Sequence, residues 1–250
     1  MNPPDSRNSA PLPTGRHGLP RSFVIQNQRE RLLAAVADVT SAASYAEMTV
    51  EDIIVTAGVS RRTFYEHFKN KEDAFLAAYE EATERLLATL RWAYETHDTF
   101  TDRVRVSIEL FVCVLAADPA FARMCIVEVL AAGPEAARRR ADTLAAFARM
   151  LEDNAAAMLE TQPTSPLTAE TVVGGLHDVV YTRILGGDVR VLPTLAPDLV
   201  YAALLPYAGA KEAEAVRESM MEGNSLVAAL TPDLWKFATQ RPAPAGQSQS

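Results

Sequence analysis

Only two of the 250 residues are cysteine, Cys113 and Cys125, and both lie in apolar stretches. Two thiols do not build a disulfide framework, and a reducing cytosol fits such a chain. They form either a redox pair between neighbouring helices or a pair of buried, inert thiols. Glycine is scarce, with 11 residues, and none of it forms a phosphate-cradling loop. No His/Cys/Asp cluster has metal-ligand spacing, and no Ser or Cys sits in a nucleophile motif. The expectation is therefore a protein that is not an enzyme and carries neither metal nor cofactor. No apolar run approaches the ~18 residues that span a bilayer, and the first 20 residues lack an apolar signal core. A cytoplasmic protein without a membrane partner is expected. Finally, β-branched residues rarely alternate with polar ones, which argues against sheet and for an all-α fold.

What is present is concentrated in residues 49–71. Thr49 is a good N-cap, with Asp52 three residues later in the reciprocal capping position. Ile53, Ile54 and Ala57 give a short helix its inner face, and Gly58 supplies the residue that can stop it at positive φ. Val59 fills the angle, and Ser60 caps a second helix. In that helix Phe64 and Phe68, four apart, point inward together. Arg61, Arg62, Thr63, Tyr65 and His67 are left outward, all of them hydrogen-bond donors. This pattern is a helix-turn-helix whose second helix is built to meet DNA.

The run Val-Ser-Arg-Arg-Thr-Phe-Tyr-Glu-His-Phe, followed by Lys71 and Glu72, resembles the DNA-binding domain of the tetracycline-repressor (TetR) family. The matching segments are residues 28–43, 49–60, 61–68 and 71–79, a quarter to a third of the chain. The resemblance implies a three-helix N-terminal domain linked by a fourth helix to a larger helical domain for ligand binding and dimerisation. It implies phosphate contacts for Ser60, Thr63, Tyr65, His67 and Lys71. Thr49 is also placed to touch the backbone, and Arg61 and Arg62 are the candidates for reading base edges. Glu66 either accepts from a cytosine or orients Arg62. One departure is visible: Ser44-Tyr45 stands where members usually place a Gly-aromatic pair, so a strained or differently closed helix end is expected there.

Charge is divided in the same sense. Residues 1–71 hold nine Lys/Arg and seven Asp/Glu, whereas residues 72–250 hold fifteen and twenty-five, giving +2 and −10 of the net −8. An acidic remainder repels DNA, so docking by one end is expected.

The expected organisation is a disordered basic arm over 1–20, a DNA-binding domain over 21–70, a helical ligand-binding and dimerisation domain over 71–240, and a disordered tail over 241–250. Helix one is expected over 22–43, with Ile25, Leu32, Leu33, Val36 and Val39 inward. Helix four starts at Asn70, and Pro119 and Pro134 open later helices. A loop over 162–167 precedes a helix over Thr168–Leu185, followed by one over 195–210 and weaker patterns at 211–221 and 232–238.

In the second domain Trp92, Tyr94, Phe111, Phe121, Met124, Phe147, Met150 and Tyr181 line a ligand cavity or fill a core. Periodicity cannot separate these, and the family resemblance favours the cavity. Glu128 or His177 would supply its polar groups. The family's dimer seam falls on the last two main helices, where Gly174, Gly175, Val179 and Ile184 form a close-packed row. The expected function is a ligand-responsive repressor, a homodimer on a palindromic double-stranded operator released by a small apolar or aromatic effector. The alternative is a DNA-targeted protein whose second domain is an enzyme or interaction module.

Overall fold

The computed structural model describes residues 20–160, 163 and 165–227. The expected arm (Pro20 apart), the tail and the helical pattern over 232–238 lie outside the described residues. Among those described, the chain is helical and has no strand. The elements are α1 (Arg21–Glu47), α2 (Val50–Ala57), α3 (Arg61–His67), α4 (Lys71–Glu95), α5 (Phe100–Ala117), α6 (Pro119–Ala122), α7 (Pro134–Met158), α8 (Thr168–Leu185) and α9 (Ala196–Met221). Most starts follow the expected chemistry. Thr49, Ser60, Asn70, Thr99 and Asp118 each accept a bond from a first-turn backbone N–H. Pro119 and Pro134 occupy first turns, where a missing N–H does no harm.

Between α6 and α7 the chain is irregular. A π-helical turn, Arg123–Val127, runs into a 3-10 turn, Glu128–Leu130. This stretch divides its side chains between two cores. Met124, Cys125 and Val129 join the core of α1–α4, where Leu32, Val36, Ile53, Phe64 and Phe75 are sealed from solvent. Ile126 turns the other way and packs among α5, α8 and α9 residues such as Leu115, Val180 and Leu199. π-turns concentrate at functional sites because they redirect side chains within a helix.

Several expectations are corrected. Ile25 is 45% exposed, not inward, because α1 extends beyond its partners at that end. The pattern at 211–221 is helical as expected, and α9 is broken just before it at Gly209, φ 79° and ψ 167°. The stretch Val189–Met221 is long and apolar enough, by composition, to cross a membrane, contrary to the expectation from runs alone. Leu192, Leu199, Val200, Ala203 and Leu204 are its buried part.

The helix end at Ser44 behaves as expected. α1 breaks there, with Ser44 at φ 71° and ψ 161°, the one positive-φ non-glycine among the described residues. That region is almost exclusive to glycine and costs other residues about 1–3 kcal/mol. Neighbours impose it. Tyr45 packs edge-on against Phe75 with ring centroids 4.9 Å apart, and its backbone N–H donates to the buried Glu128 carboxylate at 2.9 Å. Replacing Ser44 by Gly should therefore stabilise the fold by about 1 kcal/mol, relief of strain exceeding the added unfolded-state entropy. Urea unfolding measures this, with a raised midpoint at unchanged slope expected.

Candidate nucleic-acid interface and ligand cavity

The interface begins with two caps. The Asp52 N–H donates to Thr49 Oγ1 at 3.2 Å, while the Thr49 N–H and hydroxyl both donate to Asp52 Oδ2, at 2.9 and 2.6 Å. These bonds hold the Asp52 carboxyl below its ordinary range. Gly58 ends α2 at φ 61°. The Arg31 guanidinium donates to the carbonyls of Ala57 and Gly58, clamping the turn onto α1. Ser60 Oγ then accepts from the Thr63 N–H at 3.0 Å and shares a hydroxyl contact with Thr63 at 2.8 Å. Phe64 and Phe68 are buried beneath α3.

The outward face is open. The Arg62 side chain is 89% exposed and paired with Glu66 at 3.0 Å, one turn along. Arg61 lies 3.6 Å from Glu51 and over the half-exposed Tyr65 ring. Glu66 thus orients Arg62, the second of the two roles open to it from the sequence. His67 is half-buried; desolvation first, then the Arg29 charge, lower its pKa, so near neutrality it offers a neutral ring. Lys71 is turned inward, a correction to its reading as a plain phosphate ligand. Its ammonium donates to the carbonyls of Tyr45, Ala46 and Met48 at 3.2, 3.3 and 2.9 Å. It sits 4.9 Å from the Tyr45 ring centroid. The frayed end of α1 has carbonyls to satisfy, and Lys71 is the nearest cation.

Behind α4 lies a cavity bounded by α4, α5, the π-turn, α7 and α8. Its volume is about 130 Å³. That is room for a small ligand. Tyr94, Phe111, Phe121, Phe147, Met150 and His177 line it as expected from the sequence. Four expected residues do not. Trp92 is 44% exposed on the outer side of α4. Met124 faces the α1–α4 core, Tyr181 packs on the α5–α9 core, and Glu128 is engaged with Tyr45 and with Arg123, the latter at 2.9 Å. Single-residue shifts of phase within the π-turn account for Met124 and Glu128.

The cavity also has polar walls that the sequence did not single out. Tyr79, whose hydroxyl donates to Thr143 Oγ1 at 3.3 Å, is pushed up to about 12 by burial. Arg140 Nη2 lies 3.1 Å from His177 Nδ1, and Asn154 closes the opposite end of the α7 wall. Arg140 stands in a run of three arginines that resembles a solvated face, so composition hides it. The spacing 140, 144, 147, 151, 154 on one helix face was the available signal.

Of the expected dimer row, Gly174 and Gly175 are exposed, with open space around any added Cβ. Val179 is 40% exposed. Ile184 is the exception: at 2% exposure it belongs to the core, and Leu185, 53% exposed, takes the outward place. Neither cysteine forms a disulfide, and burial pushes the Cys113 thiol up, which favours inert thiols. No cluster of three potential metal ligands occurs among the described residues.

Residues 32–78 match the model of the bacterial regulatory proteins of the tetR family. A curated relative, the HTH-type transcriptional activator FasR of Mycolicibacterium smegmatis, is 30% identical over 84 residues, covering 34% of this chain and 38% of that one. The chain thus matches well under half the length of that relative. Among solved structures, the fatty acid degradation regulator FadR of Bacillus halodurans superposes with a TM-score of 0.64 at 20% identity, over 73% of this chain and 95% of that one. FadR of Bacillus subtilis, solved in complex with stearoyl-CoA, also gives 0.64 at 20% identity, over 72% and 97%. SmeT, repressor of a Stenotrophomonas maltophilia multidrug efflux pump, gives 0.59 at 20% identity over 72% and 89%. At these identities the superpositions speak for the fold.

His177 provides a pH test of the cavity. Desolvation, and after it the Arg140 charge, hold its pKa down to about 4, against ~6.5 in an unfolded chain. Unfolding therefore takes up a proton between those values, so this residue's share of stability is lost as pH falls from ~6.5 to ~4. Urea titrations at about pH 7 and about pH 4.5 should show His177→Gln losing less stability than the parent over that interval, by on the order of 2 kcal/mol.

Proposed function

We propose that the chain, whose residues 32–78 match the tetR-family model, is a transcriptional regulator of that kind and a ligand-responsive repressor. It binds a palindromic operator as a homodimer and is released by a mostly apolar effector. The observation that carries this reading is α4. At its start Phe75 and Tyr79 help form the core that holds α3; further along, Leu86, Leu90 and Tyr94 form a wall of the cavity. A molecule entering the cavity must press on the helix that seats the recognition helix.

A second connection supports the coupling. The π-turn places Cys125 and Ile126 on the cavity wall, and Glu128, directly after it, holds the Ser44–Tyr45 break. Displacing that turn pulls on α1, and displacing α4 tilts α3. An effector that favours the DNA-incompetent arrangement by ~2–3 kcal/mol lowers operator affinity roughly 30- to 150-fold.

At the operator, Arg61 and Arg62 are the base readers, because a guanidinium can bond G O6 and N7 together. Thr49, Ser60, Thr63 and Tyr65 approach phosphates, His67 does so as a neutral donor, and Lys71 contributes its charge from behind α3. One recognition helix covers too few base pairs for a unique site. Two are needed, ~34–36 Å apart, related by a two-fold axis. The exposed row Gly174, Gly175, Val179 and Leu185 on α8, with Leu205 on α9, is the apolar surface for that pairing. The acyl chain of the stearoyl-CoA bound by the Bacillus subtilis structure is apolar, as are most of the residues that line the cavity here. The alternative, a second domain with catalytic or scaffolding activity, has no site among the described residues to recommend it.

Fluorescence anisotropy with the DNA upstream of the chain's own reading frame tests the assignment. Tight binding should weaken at least ten-fold with stearoyl-CoA, and Arg62→Ala should cost ~1–3 kcal/mol for the specific site while relaxing base preference. Affinity indifferent to every long-chain compound would leave a constitutive DNA binder. Val179→Asp, at an exposed position, should leave helicity unchanged and halve the mass seen by light scattering; a parent already monomeric at micromolar concentration refutes the dimer.

A further inference from the structure

The wall that α7 gives the cavity is apolar in its middle and polar at both ends. Leu144, Phe147 and Leu151 lie between Arg140 and Asn154 on one face. The two polar residues are fourteen positions apart, roughly 21 Å along the axis. Each end is incompletely satisfied. Asn154 is 2% exposed, and neither Oδ1 nor Nδ2 has a hydrogen-bond partner. Arg140 differs from its neighbours Arg138 and Arg139, which pair with Glu135, Asp142 and Glu80. Among the described residues Arg140 has no carboxylate within ion-pair distance. Its Nε is shut from solvent without a partner, and its one hydrogen-bonding neighbour is His177.

A half-buried guanidinium without a counter-charge, and a buried amide with no bonds, are each unfavourable by themselves. Both become favourable when a ligand supplies the missing groups. His177 is neutral here and accepts from Arg140 through Nδ1, so its proton sits on Nε2, a second donor beside the guanidinium. Arg140 and His177 together suit a carboxylate, which takes charge-assisted bonds from a guanidinium in a fixed geometry. Asn154 both donates and accepts, and a hydroxyl answers both functions.

Resting on the ligand-sensor reading above, we propose that the effector is an elongated carboxylic acid. Its carboxylate lies on Arg140 and His177 near the DNA-binding domain, its chain runs along α7, and a hydroxyl far from the carboxylate is read by Asn154. Placing the charged head beside Tyr79 and Cys125 puts the strongest contact against α4 and the π-turn, the two elements that reach the DNA-binding core.

The test is calorimetric titration of the full chain with tetradecanoate, its methyl ester and ω-hydroxytetradecanoate, below their micellar concentrations. The acid should bind at least about ten-fold more tightly than the ester. Arg140→Met should abolish that preference, and Arg140→Lys should restore part of it. The ω-hydroxyl should tighten binding several-fold in the parent and not in Asn154→Leu, with circular dichroism confirming that each variant is folded. Equal affinity for acid and ester, or a preference that survives Arg140→Met, overturns the head-group assignment while the sensor reading stands. A hydroxyl advantage that is absent, or that survives Asn154→Leu, overturns the role of Asn154. If no chain compound binds and stearoyl-CoA leaves operator affinity untouched, the sensor reading itself falls, and this inference with it.

Discussion

A single buried carboxylate joins the two halves of the molecule. Glu128 is 4% exposed, and its two oxygens reach in opposite directions, one to the Tyr45 backbone and one to the Arg123 guanidinium. Removing Arg123 or the Tyr45 contact leaves the Glu128 carboxylate short of a partner away from water, which is unfavourable. The position of the α1 break is therefore tied to the position of the π-turn. From this constraint much else follows. Ser44 keeps a backbone conformation that it would not choose alone, Tyr45 is held edge-on to Phe75, and Lys71 finds the loosened carbonyls of the helix end within reach.

The first three helices were legible because each is specified locally. A capping box, a glycine at positive φ and an aromatic pair four residues apart act within a dozen positions. Composition also gave the all-helical class, and the proline-led starts of α6 and α7 followed from position alone. The misplacements arise where tertiary packing, rather than local pattern, decides which way a side chain faces. Met124 was assigned to the cavity from the family resemblance and Glu128 as a polar group for it, whereas the π-turn takes Met124 to the α1–α4 core and Glu128 to Tyr45. Ile184 was placed on the dimer seam because an apolar residue one turn past Val180 looks the same whether it faces a core or a partner. Its neighbour Leu185 carries the exposure instead. Lys71 was read as a DNA ligand because nothing in the sequence announces that Ser44 will leave three carbonyls beside it.

The cavity shows the same limit from the opposite side. A stripe of Leu, Phe and Met on α7 is equally consistent with a packed core, and three successive arginines suggest solvent. Only the packing of α8 across α7 brings His177 against Arg140 and separates that arginine from its two acid-paired neighbours. What distinguishes a cavity from a core is thus a tertiary fact: which polar atoms are left without partners after the helices close.

The ion pairs sort by the same measure. Arg105–Glu109 is nearly sealed from solvent, and Glu109 also accepts from the Ser225 hydroxyl and the backbone of Leu226 and Val227, fixing the end of the described chain to α5. Arg62–Glu66 has similar length and spacing but is open to water on both sides. Exposed helical pairs of this kind are worth ~0.3–0.5 kcal/mol, less than a bidentate contact with a base contributes to discrimination, ~1–3 kcal/mol. In the base-reading role proposed for Arg62, exchanging Glu66 for a guanine would therefore cost little. Arg105, surrounded by partners, has no comparable alternative. The same side-chain chemistry serves recognition on α3 and cohesion on α5, and access to water decides which.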